Sequence, residues 1–333
     1  MRVLVLLLAV AASAAEDKTP AYRPEETAAL AAIGAPTGYP EKDPPSPAQV
    51  QLGRKLFFDP RLSSDGTHAC ATCHKPALSF TDGLPRAKGV RQQEGRRNTP
   101  TLLNLHYRHS FFWDGRADSV EVALLDAIKN PLEMNQDPAA LPARLKAIPG
   151  YAAEFKAVYG RDTLSVADVA SAIGSFVRTI DAVYAQKESA FDKFRDDPAA
   201  LSPSARRGLV LFVGKGRCIT CHGTDHFADD GFHNVGLSVA PGREDMGRNN
   251  KRDFKTPSLR QVAQTGPYMH DGRFDSLRAV VDYFDRGGDD KHGVDPEMKP
   301  LGLTEDEKNS LVDFLESLSA PSPTAVVPEL PPS

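Results

Sequence analysis

The sequence predicts a mainly α fold made of two similar halves, and three observations carry that expectation. Apolar residues recur at helical spacing along most of the chain, while strand-like alternation is scarce. A pentapeptide occurs twice, as Cys70-Ala71-Thr72-Cys73-His74 and as Cys218-Ile219-Thr220-Cys221-His222. Downstream of each copy a longer block also repeats. Thr99-Pro100-Thr101-Leu102 through Trp113-Asp114-Gly115-Arg116 to Asp118-Ser119-Val120 aligns, without a gap, with Thr256-Pro257-Ser258-Leu259 through His270-Asp271-Gly272-Arg273 to Asp275-Ser276-Leu277.

Cys-x-x-Cys-His is the attachment signature of a c-type haem. The two thiols add to the haem vinyl groups, and the histidine offers an imidazole nitrogen to the iron. A single copy would leave a zinc or thiol-redox site open. Two copies that together use all four cysteines of the chain point to two covalently bound haem c groups, held by Cys70, Cys73 and His74 and by Cys218, Cys221 and His222. The economical reading is two cytochrome c-like haem domains related by internal duplication. At the matched position the first half has the only tryptophan, Trp113, and the second has His270.

Taken in order, residues 1–14 read as a signal peptide, with Arg2 ahead of the apolar run Val3 to Val10 and a small-residue cleavage site at Ala12-Ser13-Ala14. Residues 15–46 are rich in Ala, Pro and charge and read as an N-terminal lead-in that wraps the surface. From Pro47 the pattern is helical, with Val50, Leu52, Leu56 and Phe57 on one face and Ser46 as N-cap. Residues 75–98 form a long irregular loop, of the kind that covers a site. Helices follow at about 118–129, 137–158 and 165–187, the last with Val166, Val169, Ile173, Phe176, Val177 and Ile180 at helical spacing. The turn Asp196-Asp197-Pro198 divides an N-terminal haem domain, 47–197, from a C-terminal one, 198–320. Ser202-Pro203 caps a short helix, Arg206–Val213, that leads into the second haem motif. Residues 321–333 read as a disordered Pro-rich tail.

Composition narrows the function classes. The 333 residues suffice for two cores, and 41% hydrophobic with 25% charged residues is ordinary for a soluble protein. A net charge of −4 and the lack of any Lys/Arg block argue against a nucleic-acid binder. No stretch after the leader approaches the roughly eighteen apolar residues of a membrane span. Export places the protein in the periplasm, where c-type haem is attached.

These residues resemble the bacterial dihaem cytochrome c peroxidase family, including its MauG-like branch. The resemblance runs from about Leu52 to Leu318. It rests on Leu56-Phe57-Phe58-Asp59-Pro60-Arg61-Leu62-Ser63, Phe80-Thr81-Asp82-Gly83, Arg97-Asn98-Thr99-Pro100, Phe112-Trp113-Asp114-Gly115-Arg116, Asn130-Pro131-Leu132-Glu133-Met134, Phe254-Lys255-Thr256-Pro257-Ser258-Leu259-Arg260 and Tyr268-Met269-His270-Asp271-Gly272-Arg273. The resemblance implies that the N-terminal haem reduces hydrogen peroxide while the C-terminal haem passes electrons inward. Glu133 matches the family's distal carboxylate, which moves a proton between the peroxide oxygens as the O–O bond breaks. Trp113 matches the tryptophan between the haems. A calcium ion is implied at the domain interface, with Asn98 offering its side-chain oxygen and Thr265 and Pro267 their carbonyls.

Departures from the family choose among its branches. Members commonly carry a histidine in the loop after the first haem motif, but residues 75–105 contain none. The nearest are His68, His106 and His109, each read as a surface or structural residue. The expectation is therefore an N-terminal haem that needs no reductive activation, as in the MauG-like branch. Val122 stands near the position of a family glutamine. The family's sixth ligand to the second haem falls on Phe284, which cannot ligate iron, leaving Tyr283 and Met298 as alternatives. His233 reads as structural, and His226 and His292 as surface residues.

The leading functional expectation is a periplasmic peroxidase that reduces hydrogen peroxide to water with electrons from a small soluble cytochrome c or cupredoxin. The first alternative is a MauG-like oxidase that uses peroxide-derived oxidising power on Tyr or Trp residues of a partner protein. The second is a non-catalytic dihaem electron carrier. A homodimer is compatible with the resemblance, although no apolar patch in the sequence demands one.

Overall fold

The computed structural model describes residues 21–35, 44–184, 188–239, 244–322 and 326–332; the expected signal peptide lies outside them. Pro24 opens α1 (Pro24–Ile33), with Glu25 and Glu26 in the first turn. Ala29 and Ile33 of this helix are buried in the core of the second half. Glu26, fully buried, is bonded to Arg206 at 2.6 Å and Arg23 at 2.7 Å. Burial pushes its carboxyl up, but the two arginines prevail and hold it down at about 2. Within the lead-in expected over 15–46, residues 24–33 thus form a helix packed into a core rather than wrapping the surface. The prolines and alanines read as loop, yet Pro24 stands at the first helical position, where proline starts a helix.

In α2 (Pro47–Phe57) the Ser46 hydroxyl accepts from the Gln49 amide at 3.2 Å, and Leu52, Leu56 and Phe57 turn inward. The first haem motif forms the one-turn helix α3 (Cys70–Cys73). Ser119 caps α4 (Val120–Lys129). The single helix expected over 137–158 is broken into α5 (Leu141–Lys146) and α6 (Pro149–Tyr159), because Pro149 cannot continue the helix ahead of it. α7 (Val166–Tyr184) completes the first core. α2 crosses α7 so closely that a Cβ on Gly53 would lie 1.8 Å from the Ala172 carbonyl oxygen.

The second half is also helical. It comprises α8 (Ala190–Phe194), α9 (Pro203–Val213), α10 (Ile219–His222), α11 (Leu277–Asp285) and α12 (Glu305–Ser317). Ser202 caps α9, Ser276 caps α11, and Thr304 with Glu307 forms a capping box on α12. Gly208 lets α9 meet α12, where a Cβ would lie 1.9 Å from the Ser310 carbonyl oxygen. The two-residue strands β1 (Phe232–His233) and β2 (Phe254–Lys255) pair antiparallel, Phe232 opposite Lys255.

The apolar residues form two separate clusters. One runs from Leu52 to Ile180, and the other joins α1 to Phe191 through Leu318. Phe191 and Phe194 of α8 belong to the second cluster, so packing divides the chain before α8 rather than at Asp196-Asp197-Pro198. The tail also departs from expectation. Arg54 donates to the Val326 carbonyl and Pro331 is buried beside Gly150, so residues 326–332 lie against the first lobe instead of hanging free, while Ser322 bonds Gln264 of the second. Among the described residues no helix is long and apolar enough to cross a membrane.

Candidate functional site

Both haem motifs are folded as short helices whose histidine is aimed by a backbone carbonyl. His74 Nδ1 donates to the Phe80 carbonyl at 2.9 Å, and His222 Nδ1 donates to the Phe227 carbonyl at 2.7 Å. A carbonyl can only accept, so the proton sits on Nδ1 and the Nε2 lone pair is free for a metal. Burial pulls both imidazoles below their usual range, which favours the neutral form a metal ligand needs. None of the four cysteines is paired in a disulfide. Burial pushes the Cys70, Cys73 and Cys218 thiols up to about 12. Paired thiols beside a pinned imidazole fit haem c at both motifs, and at the second they face an apolar cavity.

Glu133, the expected proton-moving carboxylate, is close enough to Cys73 to act on that thiol's charge. Its position is set by the turn after α4. Asn130 Nδ2 donates to Glu133 Oε1 at 2.7 Å, the Glu133 amide donates to the Asn130 carbonyl, and the Val90 amide donates to the Glu133 carbonyl at 2.8 Å. The last bond ties the turn to the loop that follows the first haem motif. Burial raises the Glu133 carboxyl above its usual range, partly offset by the Asn130 bond and by Arg116. Arg116 stacks 3.5 Å above the Phe112 ring and pairs with Asp114. Asn130 belongs to the same short motif as Glu133, but its role as the holder of the carboxylate was not singled out from sequence. Val122, near the family's glutamine, is 42% exposed. The carboxylate's hydrogen-bond partner comes instead from Asn130.

A cavity of about 300 Å³ extends from the segment beside His74 to the second haem motif, with Thr99, Trp113, Cys218 and His222 among its walls. Trp113 Nε1 donates to the Asn98 carbonyl at 2.9 Å, and its ring meets His270 edge-on at 6.5 Å. His270 stacks on Phe254 at 3.7 Å. The lobes are locked around this tryptophan. Arg97 grips Asp245 of the second lobe through two bonds, of 2.6 and 2.8 Å, and Asp114 at 2.8 Å. The Lys255 amide donates to the Trp113 carbonyl at 2.7 Å, and the Asn98 amide to the His270 carbonyl at 2.8 Å. Asn98, Thr265 and Pro267 line the same cavity, and Asn98 turns its amide nitrogen to the Leu84 carbonyl.

Around the second motif the alternatives separate. Tyr283 is buried with its hydroxyl donated to the Val235 carbonyl at 2.6 Å, whereas Phe284 and Met298 line the cavity. Met298 sits in a loop tied beside the haem motif and to β1. Asp295 bonds His233 at 2.6 Å, and Glu297 pairs with Arg217, the residue before Cys218. His233 is indeed structural, held between Asp295 and Asp229. Among the described residues Cys221, Asp229 and His233 also lie close enough together to hold a metal ion, but the haem motif needs Cys221. His226, expected at the surface, instead stacks on Tyr107 of the first lobe at 3.9 Å, and burial pulls its imidazole down to about 4. His68 bonds Thr67, His106 stacks on Tyr107, and His109 is exposed.

Comparison with known proteins agrees with this geometry. The di-haem cytochrome c peroxidase family profile matches residues 47–199. The chain is 41% identical to the methylamine utilization protein MauG of Methylorubrum extorquens, over 88% of this chain and 84% of that one. It is 31% identical to the cytochrome c551 peroxidase of Nitrosomonas europaea, over 87% and 85%. Among solved structures, a MauG-like protein associated with microbial copper homeostasis superposes with a TM-score of 0.77 at 28% identity, covering 86% of this chain and 93% of the other. The diheme peroxidase BthA of Burkholderia thailandensis gives 0.71 at 26% identity, covering 89% and 96%.

Proposed function

The chain belongs to the di-haem cytochrome c peroxidase family, on its MauG-like branch, and from that premise we propose a periplasmic enzyme that reduces hydrogen peroxide to water at its N-terminal site. It is an oxidoreductase acting on peroxide. The haems, when bound through Cys70, Cys73 and His74 and through Cys218, Cys221 and His222, supply one iron for peroxide and one for receiving electrons. The chain's own residues supply the rest. Glu133 takes the proton from one peroxide oxygen and returns it to the other, so that the departing fragment leaves as water. Two electrons and two further protons complete the conversion of one peroxide to two waters. Asn130 keeps the carboxylate in place for both transfers. Trp113, in the wall of the cavity between the sites, is the stepping stone for electrons arriving from the second lobe. The observation that carries this reading is the half-buried Glu133, held by Asn130 and close to the Cys73 anchor, with a carboxyl that burial raises above its usual range.

The donor is a small soluble cytochrome c or cupredoxin, and a calcium ion held by Asn98, Thr265 and Pro267 would brace the interface with hard oxygen donors. The shared caps of α4 and α11 and the matching glycine crossings support duplication of a cytochrome c-like domain. A second reading, oxidation of Tyr or Trp residues in a partner protein, draws support from one feature: residues 75–105 offer no histidine to close the first site. A stopped-flow assay separates them. The peroxidase reading expects two equivalents of reduced small cytochrome c to be oxidised per peroxide, from the as-isolated ferric enzyme and with no prior reduction. Peroxide consumption that leaves the reduced cytochrome untouched would contradict it.

A further inference from the structure

One buried arginine in the cavity wall has a donor with nothing to bind. Arg108 follows the turn at Leu105–Tyr107 in the first lobe and reaches across to the second, where its Nη1 donates to Asp230 at 2.8 Å. Its side chain is only 4% exposed, yet Nη2 is buried with no hydrogen-bond partner among the described residues. Leaving such a donor unpaired costs about 1–3 kcal/mol, and more when the group is charged, so it calls for an acceptor. Lys255 lines the same cavity from β2. Its ammonium has no ion pair or hydrogen bond among the described residues. Burial, reinforced by the charge of Arg108, pulls it down to about 8. The pair thus brings two cations to one cavity: Asp230 takes only Nη1 of Arg108, and the carboxylates that line the cavity, Asp295 and Glu297, are already bonded to His233 and Arg217. His222 is near enough to feel Arg108.

The ligand that answers this charge is a carboxylate. A guanidinium edge and an ammonium together match its two oxygens, and the charged hydrogen bonds formed are about twice as strong as neutral ones. Haem c carries two propionate carboxylates on the edge opposite its thioether anchors, and Cys218 and Cys221 line this cavity too. We propose that Arg108 and Lys255 form a carboxylate clamp, contributed by both lobes, for a propionate of the second haem. The first lobe then completes the second haem's site and tunes it. This inference rests on the functional reading above only in requiring haem at the second motif.

The test is spectroelectrochemical titration of both haems in the full-length holoprotein, with haem content measured first. Arg108→Gln removes the charge and leaves the propionate uncompensated, which disfavours the added electron. At a fixed applied potential the ferrous-to-ferric ratio of the second haem should fall about tenfold, the size expected for one charge ~10 Å away at an effective dielectric constant near 20. Lys255→Gln should lower it in the same direction, the two together should be non-additive, and Arg108→Lys should restore most of the ratio. The first haem's potential should not move. Equal second-haem potentials in wild type, Arg108→Gln and Lys255→Gln would overturn the proposal, as would a shift confined to the first haem. A shift seen only when acetate is added would also overturn it, since the carboxylate would then be a free anion. If Arg108→Gln fails to fold, Lys255→Gln and Arg108→Lys still decide. Wild type carrying fewer than two haems per chain would instead defeat the functional reading itself.

Discussion

Glu133→Gln is expected to lower kcat/KM for hydrogen peroxide by about 10²- to 10⁴-fold, the usual contribution of a positioned acid-base group. Glutamine keeps the size of the side chain and can still accept the 2.7 Å bond from Asn130, so the turn and its tie to Val90 should survive. Haem content and the ferric absorption spectrum should be those of wild type. What is lost is the ability to take and return a proton. The pH profile provides a second signature. Burial raises the carboxyl above its usual range, so the ionised form that accepts the peroxide proton disappears at a higher pH than for an ordinary glutamate. Wild-type kcat/KM should therefore fall as pH drops through that raised value, and this acidic limb should vanish in the variant. Steady-state rates across pH, measured on both proteins with the same donor, check both points. An unchanged rate with an unchanged limb would remove Glu133 from the mechanism.

Arg97→Leu carries the next largest effect, on the joint between the lobes. The guanidinium is mostly buried and satisfies two carboxylates at once, Asp114 beside Trp113 and Asp245 of the second lobe. Burial acts to raise both acids, but Arg97 prevails and holds them below the usual carboxylate range. Its removal strands two anions in a poorly solvated seam. Breaking a buried pair by deleting one partner costs about 3–5 kcal/mol, and the residual exposure here argues for the lower end. The sign of the pH dependence follows. Because the folded pKa values are depressed, the stabilisation is fully present above the usual carboxylate range and is lost as pH falls through the depressed values. The gap between wild type and variant in urea unfolding, followed by circular dichroism, should be widest near neutrality and narrow in acid. A constant gap, or none, would show that Arg97 does not hold the lobes.

How far the sequence foretold this depends on whether the deciding interaction was local. The serine caps and the α2 face are local patterns, and each is found where its spacing implied. The Ser46 and Ser202 caps illustrate this, since each precedes a proline at the first helical position. α1 was misread because its proline and alanine content resembles a linker, while its burial depends on Arg206, far along the chain. The tail was misread for the same reason, with Arg54 and Gly150 as its distant contacts. His226 gave no sign of burial because its neighbour Tyr107 lies in the other half. Tyr283 and Phe284 could be separated only by a backbone carbonyl, that of Val235, which takes the tyrosine hydroxyl. Nothing in the local sequence marks Arg108 or Lys255, since an unpaired donor is a property of the folded cavity.

The most direct measurement is the electron paramagnetic resonance spectrum of the as-isolated ferric protein, before and after one equivalent of hydrogen peroxide. Residues 75–105 contain no histidine to close that iron, so a high-spin signal should be present and should vanish when peroxide is added. Two low-spin signals that ignore peroxide would mean both irons are closed, and the protein would be a reductively activated enzyme or an electron carrier.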